Sequence, residues 1–230
     1  MNLIELRHNL VKEFKPFIES TITLKRKTPI WEQEDQRNKL IIVLNGTIKV
    51  SHMLPNYNEL LLGIYNSEII IFPAILNMEN NFSSLFRIST LTECTLGTIS
   101  APTFKSIIEN DFILLRNLYL YHDYLCQKVF LQMRDIGIHD KKHALLSILI
   151  RLYNTYGLKT QEGFKINIKL SNIILSEYLG TSPETISRLL TKLKHDNLIT
   201  FNHGFLILKD LEHIKNTLGC SKCNENLCVL

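Results

Sequence analysis

The 230-residue sequence predicts an α+β chain: an antiparallel β-barrel first, one long helix next, and a small domain of helices closed by a β-hairpin last. Three observations carry that reading. Residues from about 20 to 110 break into short apolar runs separated by turn signals; residues 112–138 hold no proline and repeat apolar positions at helical spacing; residues 171–208 alternate capped helical segments with short strands.

The barrel region is justified strand by strand. Leu40-Ile41-Ile42-Val43-Leu44 reads as a buried strand, and Asn45-Gly46 after it marks a tight turn. Thr47 to Ser51 resumes with alternation, Leu60-Leu61-Leu62 follows the polar stretch Pro55-Asn56-Tyr57-Asn58, and Glu68 to Phe72 ends at Pro73. Short strands at this spacing predict a barrel or a sandwich.

The long helix comes next. Leu118, Tyr121, Leu125, Val129, Met133 and Ile136 recur three and four apart, which predicts one apolar face. A narrow seam of this kind suits pairing with a second copy of the chain, or packing on the chain's own barrel. A further helix runs from about Lys141 to Tyr156, with Gly157 as its stop, and Phe164 to Ile168 reads as a strand.

The last third is the most informative. Ser171 to Leu179 reads as a short helix with Ser171 as its N-cap, and Gly180-Thr181-Ser182 as a turn whose glycine tolerates the left-handed conformation. Ser182 then caps a second helix, Pro183 suits its first position, and Glu184 complements its positive end. Ile186, Leu189, Leu190 and Leu193 fall on one face, and Glu184, Ser187, Arg188 and Thr191 on the other. Ile199-Thr200-Phe201, Asn202-His203-Gly204 and Phe205 to Leu208 predict a hairpin. Together these make a winged helix-turn-helix, and its partner is double-stranded DNA. A helix in the major groove needs a polar face near its N-terminus. Arg188 offers bidentate bonds to guanine, Glu184 an acceptor for cytosine N4, and Ser187 a base-edge contact, while Ser171, Ser182 and Thr185 suit phosphates.

Charge agrees. Lys+Arg and Asp+Glu balance at fourteen each through residue 138, whereas residues 139–230 hold twelve against eight. The whole surplus of +4 therefore sits beside the predicted DNA-binding element. Hydrophobic residues are 45% and charged residues 21%, ordinary for a soluble globular protein. No apolar run is long enough to span a bilayer, and Glu5 and Arg7 interrupt any signal-like stretch, so the expectation is a cytoplasmic protein without a membrane partner.

Five cysteines complete the inventory. Cys94 and Cys126 stand alone and suit core positions, while Cys220, Cys223 and Cys228 crowd the C-terminus. In a cytosolic chain such a cluster more often binds metal than forms disulfides. Three thiolates can wrap one centre, zinc or iron–sulfur, but either usually takes four ligands. The same three also fit a tail of reduced thiols. A thiol redox enzyme would need a base beside a reactive thiolate, and no His or Lys motif marks one, so no enzyme activity and no catalytic residue is expected.

The order of barrel, long helix and winged helix-turn-helix resembles the Crp/Fnr family of bacterial regulators over nearly the whole chain. Ser182-Pro183-Glu184-Thr185-Ile186-Ser187-Arg188-Leu189-Leu190 resembles that family's recognition helix in its Fnr-type form. The resemblance implies a cyclic-nucleotide-binding-like barrel over residues 1–110, a dimerisation helix over 111–139, the DNA-binding domain over 140–212 and a Cys-rich tail over 213–230. It implies a homodimer reading palindromic DNA with TTGAT-like half-sites through Glu184, Ser187 and Arg188, and RNA polymerase as a further partner. Nucleotide-binding members carry a Gly-Glu and an Arg-Ser pair around the cyclic phosphate. Here Asn66-Ser67-Glu68-Ile69 and Leu85-Phe86-Arg87-Ile88-Ser89 keep Glu68 and Arg87 without the cassette, so no cyclic nucleotide is expected and Arg87 reads as an ion-paired or surface residue.

The tail spacing resembles the Fnr proteins of bacilli, in which three C-terminal cysteines and an aspartate hold a 4Fe–4S cluster. Arg134-Asp135 with His139, Lys141 and Lys142 matches that subgroup without a gap. The resemblance therefore implies Cys220, Cys223, Cys228 and Asp135 as ligands, with Asp140 the alternative acid. It implies an oxygen-responsive activator of anaerobic genes. The sequence departs from the subgroup at Pro183 and Ile186 and in its barrel strands. The other reading is a regulator of the same fold without iron, sensing a small effector or binding DNA constitutively.

Overall fold

Alternation and turn chemistry resolve the first unit, Met1–Tyr124, into two antiparallel sheets flanked by helices. A computed structural model of the chain describes residues 3–30, 39–53, 59–67, 69–71, 86–138, 140–220, 223 and 227–229. The predicted turn at 55–58, together with Glu68, Phe72 and Leu85, lies outside the described residues.

The first sheet has the order β1 (Ser20–Leu24), β7 (Cys94–Ser100), β2 (Lys39–Asn45), β5 (Ile69–Ile71). The second has the order β4 (Glu59–Asn66), β3 (Thr47–Met53), β6 (Phe86–Thr90). Leu40, Ile41, Ile42 and Val43 are all fully buried, so β2 is covered on both faces, which is why its sequence runs apolar without alternating. Helix α1 (Leu3–Phe14) packs on β5, and α2 (Ala101–Asn110) packs on β7 and β2. Phe14 and Phe104 meet with ring centroids 5.9 Å apart.

One expectation changes here. Among the described residues the sheets do not close into one barrel, although the fold class holds. The Asn45-Gly46 turn forms, with Gly46 at φ +97°, yet it joins no hairpin: β2 and β3 belong to different sheets. Glycine is needed there twice over, for its φ and because a Cβ would strike the Glu93 carbonyl and the Cys94 sulfur.

Helix α3 (Phe112–Ile138) has the predicted extent but two apolar faces rather than one. Leu114, Asn117 and Tyr121 are buried, whereas Phe112, Ile113, Leu115, Tyr119, Leu120, Val129, Phe130 and Met133 are exposed. The sequence seam mixed the two, taking buried Tyr121 together with exposed Val129 and Met133. Each step of four from Tyr121 to Met133 overshoots the 3.6-residue turn by about 40°, so three of them carry the row about a third of the way round the helix, from the buried face to the exposed one.

The second unit, Leu125–Leu230, is organised around α4 (Lys141–Tyr156). Every residue from Ala144 to Leu152 is buried, since β8 (Gly157–Thr160), β9 (Gly163–Ile166), α5 (Asn172–Leu179) and α7 (Leu211–Thr217) all pack on this helix. Gly157 ends α4 in an extended conformation rather than a left-handed one. Its role is space, because a Cβ there would meet the Tyr153 carbonyl and ring. The remaining elements are α6 (Pro183–His195), β10 (Ile199–Asn202) and β11 (Phe205–Leu208), and the sheet order is β10-β11-β9-β8.

Candidate functional site

The helix-turn-helix is built from the caps that its sequence encodes. The Ser171 hydroxyl accepts the Ile174 amide at 3.3 Å and starts α5. Gly180 ends that helix at φ 59°, ψ 44°, the left-handed region that glycine enters without Cβ strain. The Ser182 hydroxyl accepts the Thr185 amide at 3.2 Å and starts α6, with Pro183 in its first turn. Ile186, Leu190 and Leu193 are buried and Leu189 half-buried. Glu184, Ser187, Arg188 and Thr191 are exposed together on the opposite face, as the helical period requires. The Arg188 guanidinium donates to the Thr185 hydroxyl at 3.3 Å. The Glu184 carboxyl is held below the usual range, first by the backbone amide at the helix start and then by Ser182. At neutral pH the face therefore presents an acceptor and a guanidinium one turn apart, and Ser171, Ser182 and Thr185 lie at helix starts where amides favour phosphate.

The hairpin beyond it is a tight one. Asn202 pairs with Phe205, and the two residues between them, His203 and Gly204, both have positive φ, the geometry of a type I′ turn. Two contacts tie α4 to the reading elements: Lys141 donates to the Thr181 hydroxyl at 3.2 Å, and Lys142 pairs with Asp196 at 2.7 Å.

The second constellation lies where α3 ends. Asp135 is 3% exposed and its carboxylate is crowded with donors. Arg134 donates to Oδ1 from Nε and Nη2 at 3.0 and 2.7 Å. Arg151 donates to Oδ2 from Nε and Nη2 at 3.2 and 2.7 Å, and the Ser147 hydroxyl adds a bond of 2.6 Å. Burial pushes the Asp135 carboxyl up, but the bonds from Ser147, Arg151 and Arg134 outweigh it and hold it below the usual range. The tail meets the same arginines. Arg134 points Nη1 and Nη2 at the Cys223 sulfur, 3.5 and 3.7 Å away. Arg151 Nη1 donates to the Leu227 carbonyl at 3.2 Å, and Asn154 donates to the Cys228 carbonyl at 2.7 Å.

Cys223 thus shares Arg134 with Asp135, and the Leu227 and Cys228 carbonyls are held by α4. Burial first, then the neighbouring Cys228, Cys223 and Asp135, push the Cys220 thiol up to about 11. Burial also raises Cys228, against the opposing charge of Arg151. Thiols in such a place stay protonated until a cation displaces the proton. The donor kinds fit a thiophilic centre: three thiolates and a carboxylate would bring four negative charges, and the two guanidiniums offset half. In the arrangement described, the carboxylate already accepts five donors on about four lone-pair sites, so ligating a metal requires it to release an arginine bond. Among the described residues no group of three or more His, Cys, Asp or Glu stands ready-made as a metal site.

The other singled-out residues have structural partners. Asp140 is the N-cap of α4, accepting the His143 amide and facing its ring nitrogen, both at 2.9 Å. Arg87 is ion-paired to Glu59 at 3.4 Å, and Glu59 also holds Lys49 and Ser51. Cys94 is buried and donates to the Thr47 carbonyl, as a core thiol does. None of the five cysteines is in a disulfide. Among the described residues no helix is long and apolar enough to cross a membrane. Sequence reasoning missed Arg151, Ser147 and Asn154. An arginine amid the apolar run Ala144–Leu152 was the signal that could have found the first.

Comparison with known proteins agrees with this geometry. Residues 21–111 match a cyclic nucleotide-binding domain and residues 143–217 a Crp-like helix-turn-helix domain. The chain is 25% identical over 214 residues to an anaerobic regulatory protein of Bacillus subtilis, covering 90% of this chain and 89% of that protein. It is 28% identical over 170 residues to the probable transcriptional regulator flp of Lacticaseibacillus casei, covering 72% of each. Among solved structures it superposes on a CooA variant from Carboxydothermus hydrogenoformans with a TM-score of 0.73 at 21% identity, covering 95% of this chain and 96% of that one. With both domain types matched in order and the reading helix formed, the chain belongs to the Crp/Fnr family of DNA-binding transcriptional regulators, which act as dimers.

Proposed function

We propose that this regulator tunes its DNA affinity to oxygen through a 4Fe–4S cluster held by Cys220, Cys223, Cys228 and Asp135. The observation that carries the proposal is that Arg134 and Arg151, which hold the buried Asp135 carboxylate, also hold the Cys-rich tail, at the Cys223 sulfur and the Leu227 carbonyl. The similarity to an anaerobic regulatory protein supports the same reading. When bound, such a cluster supplies oxygen lability. The chain's own part is structural. Arg134 and Arg151 balance the thiolates, Asp135 exchanges an arginine for the metal, and the tail is fixed against α4. Asp140, spent as a helix cap, is the weaker candidate for the fourth ligand.

On the DNA side, Glu184, Ser187 and Arg188 read TTGAT-like half-sites of a palindrome, and Ser171, Ser182 and Thr185 fix the register on phosphates. Exposed residues of α3, including Phe130 and Met133, form the homodimer seam that spaces two recognition helices one helical turn apart, ~34 Å. In this division residues 1–110 form a sensor-like domain, 111–139 the dimer helix, 140–212 the DNA-binding domain and 213–230 the sensing tail. The protein works in the cytoplasm as an activator of anaerobic genes, with RNA polymerase as its further partner.

The test is an anaerobic purification read by visible absorption, iron and acid-labile sulfide, before and after air. A brown protein with a broad band near ~400 nm that bleaches in air supports the reading. In the same preparation Cys223→Ala is expected to lose both colour and tight promoter binding. A colourless wild-type protein, or a Cys223→Ala protein that binds DNA like the anaerobic wild type, overturns it. Either result would move the signal to the first domain.

A further inference from the structure

Arg151 is an anomaly of composition. It sits in a helix run of Ala144, Leu145, Leu146, Ile148, Leu149, Ile150 and Leu152, and it is 3% exposed. Burying a guanidinium is costly unless its donors are matched. All three of its nitrogens are: Nε and Nη2 take Asp135, and Nη1 takes the Leu227 carbonyl. Asp135 alone would leave the third nitrogen without its carbonyl. One helical turn on, the same face of α4 presents Asn154 to the Cys228 carbonyl at 2.7 Å. Ser147, one turn earlier, braces Asp135. Residues 147, 151 and 154 thus make a row along one helix, and two of them, Arg151 and Asn154, bind the backbone of the tail.

Backbone bonds of this kind need no metal. We infer that Arg151 and Asn154 dock the C-terminal tail on α4 in the metal-free protein, Arg151 being the positioning residue that joins the Leu227 carbonyl to the Asp135 carboxylate and so keeps the three thiols gathered as a receptor for a thiophilic metal centre. The receptor role rests on the function proposed above; the docking does not. A docked tail lowers the entropy that metal capture must overcome, because the ligands are ordered beforehand.

The experiment is amide hydrogen exchange on the full chain, reduced and stripped of metal with a chelator, read on C-terminal peptides covering residues 218–229. A synthetic peptide of residues 216–230 provides the unstructured reference. In the wild type the amides of Gly219 and Cys223, bonded to the Asn216 and Cys220 carbonyls, are expected to exchange at least about tenfold more slowly than in the peptide, because opening them requires the tail to undock. Arg151→Gln and Asn154→Ala should each remove most of that protection. Asn154→Ala leaves the Asp135 network intact, so its effect cannot be a failure to fold. A wild-type tail that exchanges as fast as the peptide, or protection that survives both substitutions, overturns the inference. Failure of the cluster proposal would leave these rates unchanged, because no metal is present.

Discussion

Replacing Asp135 by asparagine tests the centre of the second unit without touching a cysteine. The substitution removes the charge that faces Arg151, a guanidinium 3% exposed with no solvent to turn to. Breaking a buried pair from one side typically costs about 3–5 kcal/mol, because the remaining charge is stranded. Arg134 adds little, since its side chain is 41% exposed and water can replace the lost partner. With a urea dependence of about 2 kcal/mol per molar, a loss of this size lowers the unfolding midpoint by roughly 2 M. The control is Asp140→Asn. That side chain is 66% exposed, and asparagine caps a helix as well as aspartate, so its midpoint should move by less than about 0.5 M. The assay is urea unfolding followed by far-ultraviolet circular dichroism on metal-free protein at neutral pH. If Asp135→Asn shifted the midpoint no more than Asp140→Asn, the buried network would contribute nothing to the fold, and the account of Arg151 built on it would fail.

Arg188→Ala should weaken specific binding by about 1–3 kcal/mol for each half-site and relax discrimination at the contacted base pair, while non-specific binding changes little; competition binding at fixed salt measures both. Gly180→Ala places a Cβ in the left-handed region at φ 59° and should destabilise the second unit by about 1–2 kcal/mol, seen as a lower urea midpoint. Phe130→Glu with Met133→Glu puts charge on the exposed row of α3 and should yield monomers by light scattering, with DNA affinity lost in parallel. For Glu59, burial raises the carboxyl, but Lys49, Ser51 and Arg87 outweigh it and the folded value is depressed. Its stabilisation is therefore present above the unfolded value of about 4.3 and lost as pH falls through the folded one. The urea midpoints of wild type and Glu59→Gln should accordingly differ at pH 6 and converge in acid.

What could be read in advance divides along the range of the interactions. Caps and turns are local, so Ser171, Gly180, Ser182 and Pro183 announced the helix-turn-helix residue by residue, and α4 ended at its breaker, Gly157. Sheet pairing is not local. Leu40 to Val43 declared a buried strand, yet nothing nearby in sequence says that β2 pairs with β7 and β5 instead of with the next strand, β3. The two-residue stretch 161–162 between β8 and β9 carries no Asn-Gly signal, and that hairpin went unread. The tail shows the same divide. Spacing singled out the three cysteines, but their receptor is assembled from residues 134, 135, 147, 151 and 154, some 70 to 90 positions away.

That receptor and the reading head share one helix. Ser147, Arg151 and Asn154 line the later part of α4 beside the tail, while Lys141 and Lys142 at its start reach Thr181 in the turn and Asp196 beyond α6. From residue 142 to residue 154 the axis rises about 18 Å. The two lysine contacts cannot themselves carry much coupling: the Lys142–Asp196 pair is 28% and 32% exposed, a class worth about 1 kcal/mol or less. The stronger link is packing, since α4 is buried from Ala144 to Leu152, packs on α5, and α5 packs on α6. Close-packed helices shift as bodies instead of bending locally. A tail that gained or lost its hold on residues 151 and 154 would reach the recognition helix through the seating of α4, and only to the extent that two seatings differed in their affinity for the tail.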